Sequence, residues 1–136
     1  EEGQIITPNP TEATKYWKIA ADFGNSQNKV TYAERAERGI GMEADPVVAG
    51  EYMRKAAEDD DICAMYHYGT YLLEGTHGFQ PNIIKGIDSI RRSADNNYKD
   101  AMRKYLQILE KGVTRNKIGK DKKLAKQYKA KLADLK

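Results

Sequence analysis

The chain has 136 residues, 40% of them hydrophobic and 32% charged, with a net charge of +3. That is one domain or a piece of one, long enough to bury a moderate core. No apolar run approaches the roughly 18–20 residues that span a bilayer, and the single cysteine, Cys63, excludes an internal disulfide framework and suits a reducing compartment.

Charge is unevenly spread. Residues 111–136 carry ten Lys/Arg against Asp121 and Asp134, a local charge of +8, so the rest of the chain is net acidic. A second regularity is positional. Gly39, Gly75 and Gly112 are spaced by 36 and 37 residues. The same steps relate Tyr32, Tyr68 and Tyr105, then Ala36, Leu72 and Leu109, then the pairs Ala20–Ala21, Ala56–Ala57 and Ser93–Ala94. Several columns in one register mark an internal repeat.

In chain order, the opening Glu1-Glu2-Gly3 resembles Glu74-Gly75, and Gly3 lies 36 residues before Gly39. Residues 1–23 therefore read as a partial unit, the end of an A helix followed by a B helix, and the chain as a segment of a longer array. Asn9, Asp45, Asn82 and Asp121 each stand four residues before a small residue, Ala13, Ala49, Gly86 or Ala125. Asn and Asp favour the N-cap because a side-chain oxygen accepts an orphan backbone N–H, and Pro10 and Pro46 suit the first helical position. The expected elements are B at 10–23, A at 27–38, B at 46–58, A at 61–74, B at 83–96, A at 98–111 and B at 122–135. Units then run 24–58, 59–96 and 97–136. Each A helix should close on a glycine in the left-handed C′ conformation. Glu58-Asp59-Asp60-Asp61 suits a turn followed by a cap. Pro81 implies one inserted residue, and the loop from Gly112 to Asp121 is three residues longer than that from Gly39 to Asp45.

Ala-x-x-Tyr-Trp-x-x-Ala-Ala at 13–21, Tyr-Met-Arg-Lys-Ala-Ala at 52–57 and Tyr-Gly-x-x-Leu-x-x-Gly at 68–75 resemble the Sel-one-like repeat, a relative of the tetratricopeptide repeat. Departures are Asn28 where the other units have Ala64 and Ala101, and Leu106 where they have Ala33 and Gly69. The resemblance implies an all-α, right-handed solenoid of antiparallel helix pairs. It also implies a scaffold or adaptor function, without catalysis or cofactor, and A helices lining the concave side. The disulfide-rich branch of the family is disfavoured by the lone Cys63.

If Tyr68 points inward, Tyr66, Thr70 and Leu73 point away from it, with Glu74 at the margin. Shifting by the repeat adds Val30, Glu34, Glu37 and Arg38, then Arg103, Gln107 and Glu110. This face is expected to hold a partner peptide or helix, anchored on Tyr66 and Leu73 and oriented by Glu37, Arg38 and Arg103. The plainer reading is a solvated face with stray apolar residues. The first B helix, with Trp17 and the nearby Ile5 and Ile6, offers an edge for self-association.

The alternative function rests on the C-terminal helix. Lys120, Lys122, Lys123, Lys126 and Lys129 form a patch that could dock on RNA, ribosome or an anionic membrane. Leu124, Tyr128, Leu132 and Leu135 recur at helical spacing, so this helix should also pack one side on the last unit, leaving its lysines solvated. His67 and His77 are the only histidines, and no Cys/His set has metal-ligand spacing. No nucleophile elbow, phosphate loop or dinucleotide fingerprint occurs.

Overall fold

A computed structural model describes residues 7–135, and among them the backbone forms seven helices. They are α1 (Pro10–Phe23), α2 (Ser26–Arg38), α3 (Pro46–Glu58), α4 (Ile62–Glu74), α5 (Ile83–Asp95), α6 (Lys99–Lys111) and α7 (Lys122–Asp134). Every boundary lies within one residue of the expected one. Each helix packs on its sequence neighbour, giving an all-α helical-repeat solenoid. The one β-type pairing among the described residues is an isolated antiparallel bridge between Val113 and Ile118. The opening Glu1-Glu2-Gly3 and the two isoleucines, Ile5 and Ile6, lie outside the described residues.

The caps explain why the helices start where they do. Asn9 accepts from the Glu12 N–H at 3.1 Å, Asp45 from Val48 at 3.1 Å, Asn82 from Lys85 at 3.1 Å and Asp121 from Leu124 at 3.0 Å. Asn25 and Asp61 cap α2 and α4 in the same way. Tyr98, expected as the first residue of α6, is its N-cap and makes no side-chain cap bond. Each capping residue of α3, α5 and α7 also donates its own N–H to one column of carbonyls. Asp45 reaches Ala36 at 2.8 Å, Asn82 reaches Leu72 at 2.8 Å, and Asp121 reaches Leu109 at 2.7 Å. Loops of different length are therefore closed by one shared bond.

Gly39 and Gly75 end α2 and α4 in the left-handed region, with φ/ψ of 69/40° and 69/41°. Gly112 departs from that expectation. Its φ is 76° but its ψ is 177°, because the longer loop turns away at once into the Val113–Ile118 bridge. A Cβ there would lie 2.5 Å from the Lys117 backbone, so glycine is still required.

The core is two adjoining clusters, one built from α1–α4 and one from α5–α7. Tyr32, Tyr68 and Tyr105 are buried, as are Ala36, Leu72 and Leu109. Backbones approach closely at α4–α5, where a Cβ on Gly86 would sit 2.9 Å from the Gly69 carbonyl oxygen. Two of the three pairs of successive B helices are joined by a three-part polar link. Tyr52 on α3 donates its hydroxyl to Asp22 on α1 at 2.5 Å, and Lys18 holds the same carboxylate at 3.1 Å. On α7 and α5, Tyr128 donates to Asp95, which Arg91 holds at 3.0 Å.

This link predicts a pH dependence. The Tyr52 hydroxyl, supported by Lys18, holds the Asp22 carboxyl below its ordinary 3.8. A depressed carboxylate contributes stability that is present above the unfolded value and lost as pH falls through the folded one. Asp22 is largely solvated, so the effect is modest. Tyr52→Phe should lower stability by about 1 kcal/mol at pH 7, and the deficit should shrink in urea denaturation as pH falls below the ordinary carboxyl value of 3.8 and the carboxylate protonates.

Candidate protein-binding face

The A helices α2, α4 and α6 meet side by side through their side chains. At their N-terminal ends Ser26 lies 3.4 Å from Asp61, and the Cys63 thiol lies 3.5 Å from the Tyr98 hydroxyl. The Tyr66 and Tyr98 rings are 5.6 Å apart. Towards the C-terminal end of α2, His77 reaches back from the loop after α4. Its Nε2 lies 2.5 Å from Glu37, its Nδ1 lies 2.9 Å from the Thr76 hydroxyl, and its ring stacks on Tyr71 at 3.7 Å. His67 is half-buried, and that burial lowers its pKa against the opposing pull of Glu34. Burial raises the Cys63 thiol and the Tyr71 phenol, the latter to about 12, so neither is an activated nucleophile.

The expected face is therefore only partly a free surface. Val30 must be corrected. It is 4% exposed and belongs to the first core cluster. Tyr66 and Leu73, expected as projecting anchors, are half-buried and pack against the second cluster. The reason is geometric: an A helix here has packed neighbours on more of its circumference than a helix lying on one core, so the outward arc is narrow. Thr70 is half-buried and returns its hydroxyl to the Tyr66 carbonyl. Glu37 is engaged by His77, and Arg103 pairs with Asp100 at 3.0 Å. Glu34, Arg38, Glu74, Gln107 and Glu110 are exposed.

Two recesses regroup the expected residues. Leu73, Glu74 and Gln107 line a cavity of about 370 Å³ between α4 and α6, together with Lys104, Ile108, Lys111 and the Gly112–Val113 turn. Glu110 is not among them. It turns towards α7 and shares a recess of 360 Å³ with Lys122, Lys126 and Lys129. Sequence reasoning missed Lys104, although its i, i+3, i+7 spacing with Gln107 and Lys111 places all three on one side of α6. On α1, Trp17 is half-buried against the first cluster, and the exposed apolar stripe is Tyr16, Ile19 and Phe23.

The family model described as Sel1 repeat matches residues 1–25, 32–61 and 64–98. The chain belongs to the Sel1 repeat family. No curated protein matched it. The fold is similar to the crystal structure of a Sel1 repeat protein from Oxalobacter formigenes, with a TM-score of 0.76 and 24% identity over 91% of this chain and 90% of that one. It is also similar to c5321, described as a protective antigen present in uropathogenic Escherichia coli strains and displaying an SLR fold. There the TM-score is 0.73 and the identity 19%, over 93% of this chain and 27% of that one. Both likenesses concern the fold. Sel1 repeats generally mediate protein–protein interaction, typically as scaffolds without catalysis. Among the described residues no group of three or more His, Cys, Asp or Glu could hold a metal ion, and no helix is long and apolar enough to cross a membrane.

The burial of Val30 separates core from surface within this Sel1 repeat array. Val30→Ala should lower the unfolding free energy by about 2 kcal/mol. Glu34→Ala, four residues on and exposed, should stay within about 0.5 kcal/mol of the parent in the same urea titration.

Proposed function

We propose that this chain is a non-catalytic interaction scaffold that receives a partner peptide or helix in the groove between the C-terminal halves of α4 and α6. One observation carries the reading: half-buried Leu73 and buried Ile108 line a 370 Å³ recess that also includes Glu74, Lys104, Gln107 and Lys111. That volume is within the range of about 300–1,000 Å³ usual for binding recesses. An apolar partner side chain would rest on Leu73, and an acidic neighbour would face Lys104 and Lys111. Glu34, Arg38, Tyr66, Thr70 and Arg103 extend the same surface as a polar surround.

The test uses a photoreactive amino acid at Gln107, with Glu51 on the exposed side of α3 as the control. Cross-linking from Gln107 in native extract should give a discrete protein adduct that Lys104→Glu with Lys111→Glu removes. Equal labelling from Glu51, or labelling indifferent to the charge reversal, would count against the groove.

A second reading is favoured by crowding of like charge at the start of α7. Lys117 and then Lys122 lower the pKa of Lys120, the mark of a concentrated positive field. Lys122, Lys123, Lys126 and Lys129 are exposed along the helix that follows. On this reading the helix docks on RNA, ribosome or an anionic membrane. Affinity for single-stranded RNA should then fall steeply with added salt, and replacing Lys122, Lys126 and Lys129 by Gln should flatten that slope. Binding without salt dependence removes this reading.

A further inference from the structure

Position 89 is where one B helix departs in residue type from its neighbours, while keeping their register. Tyr52 on α3 and Tyr128 on α7 occupy the equivalent place, 37 residues before and 39 after Ser89. Each of those tyrosines makes the same three contacts. Its ring meets the tyrosine of the preceding A helix edge-on, Tyr32 with Tyr52 at 4.8 Å and Tyr105 with Tyr128 at 5.0 Å. Its hydroxyl donates to a carboxylate on the preceding B helix, Asp22 or Asp95. A lysine one turn on lies over its ring, Lys55 at 5.0 Å and Lys131 at 5.4 Å.

On α5 the tyrosine is absent and its partners remain. Ser89 turns its hydroxyl inward to the Met65 carbonyl at 2.8 Å. By the same register Tyr68 stands for Tyr32 and Tyr105, Glu58 for Asp22 and Asp95, and Arg92 for Lys55 and Lys131. Arg54 holds the Glu58 carboxylate at 2.8 Å, as Lys18 and Arg91 hold the other two. Tyr68 takes its edge-on partner from elsewhere, Phe79 at 5.2 Å. What the missing ring leaves is a recess of 180 Å³ lined in part by Glu58, Met65, Tyr68, Ser89 and Arg92. Its size is instructive. It is smaller than the roughly 300 Å³ at which drug-sized sites begin, and close to the cavity of about 150 Å³ that accepts a single benzene ring.

We propose that this recess is a binding site for a small phenol. The ring would lie against Tyr68, the hydroxyl would donate to Glu58, and Arg92, which now reaches Asp60 at 3.4 Å, would move over the ring face. The position opposite the hydroxyl points at the α5 backbone, so the ligand carries no bulky group there. Exposed Lys85, whose Nζ is 5.7 Å from the Tyr68 ring centre, is long and flexible enough to be displaced. This site is independent of the groove between α4 and α6.

Titration of the full chain with phenol, followed by amide NMR, tests it. Saturable shifts should centre on Ala57, Met65 and Ser89. Benzene, lacking the hydroxyl, should bind about tenfold more weakly, the scale of one hydrogen bond to a charged group. N-acetyl-tyrosine amide, with a large group opposite its hydroxyl, should bind at least tenfold more weakly than phenol. Ser89→Tyr should fill the recess, raise Tm and abolish phenol binding. Glu58→Gln, at an exposed side chain, should weaken phenol towards the affinity of benzene while leaving Tm near the parent value. Scattered or non-saturating shifts, tyrosine amide binding as tightly as phenol, or phenol affinity unchanged in both variants would overturn the site.

Discussion

Everything in this array depends on how closely an A helix and its following B helix can approach. At α4–α5 the two backbones are almost in contact: a Cβ on Gly69 would lie 2.9 Å from the Gly86 carbonyl oxygen and 2.7 Å from Ile90. The equivalent residues of the preceding pair, Ala33 and Ala49, are small and fully buried. Small residues at these crossings bring the larger tyrosine, methionine and leucine side chains of both helices into contact around them, and there they fill the core. The shared cap bonds from Asp45, Asn82 and Asp121 then return the chain to the same carbonyl column in each unit. A helix pair could not hold its apolar face alone, so neighbouring units supply the rest of the core.

Function follows from what the stack leaves uncovered. The A-helix side offers a groove of mixed charge with an apolar lining at Leu73 and Ile108. The B-helix side offers a recess created by one departure from the repeat, Ser89 among tyrosines. In a repetitive scaffold the common columns build the core, and the exceptions make one unit differ from the next. Leu106, Ser89 and the lengthened loop after Gly112 are such exceptions. Two of the three lie beside a surface recess: Ser89 lines one, and Gly112 lines another.

Much of the fold was legible because its determinants are local. A cap residue acts within one turn, so Asn9, Asp45, Asn82 and Asp121 announced the helix starts, and Gly39 and Gly75 announced two ends. Gly112 did not behave like them, because its conformation depends on a loop that folds back through Val113 and Ile118. Site residues were less legible because exposure is a property of the assembled stack. Helical spacing placed Val30 opposite the core tyrosine, and only packing of successive units shows it buried. The same spacing grouped Glu110 with Gln107, whereas the approach of α7 draws Glu110 towards Lys122 and Lys126. The gap at Ser89 was visible in the register once Tyr52 and Tyr128 were aligned, but its meaning required knowing that their hydroxyls reach Asp22 and Asp95.

The most direct test of the close-crossing constraint is the unfolding free energy of Gly86→Ala, measured by urea denaturation. Intrinsic helix propensity alone favours alanine over a mid-helix glycine by about 1 kcal/mol. The packed crossing predicts the opposite sign, a loss of stability, because the new methyl group would meet the Gly69 carbonyl oxygen and the Leu73 side chain at 2.9 Å. A variant more stable than the parent by the propensity difference would contradict the account.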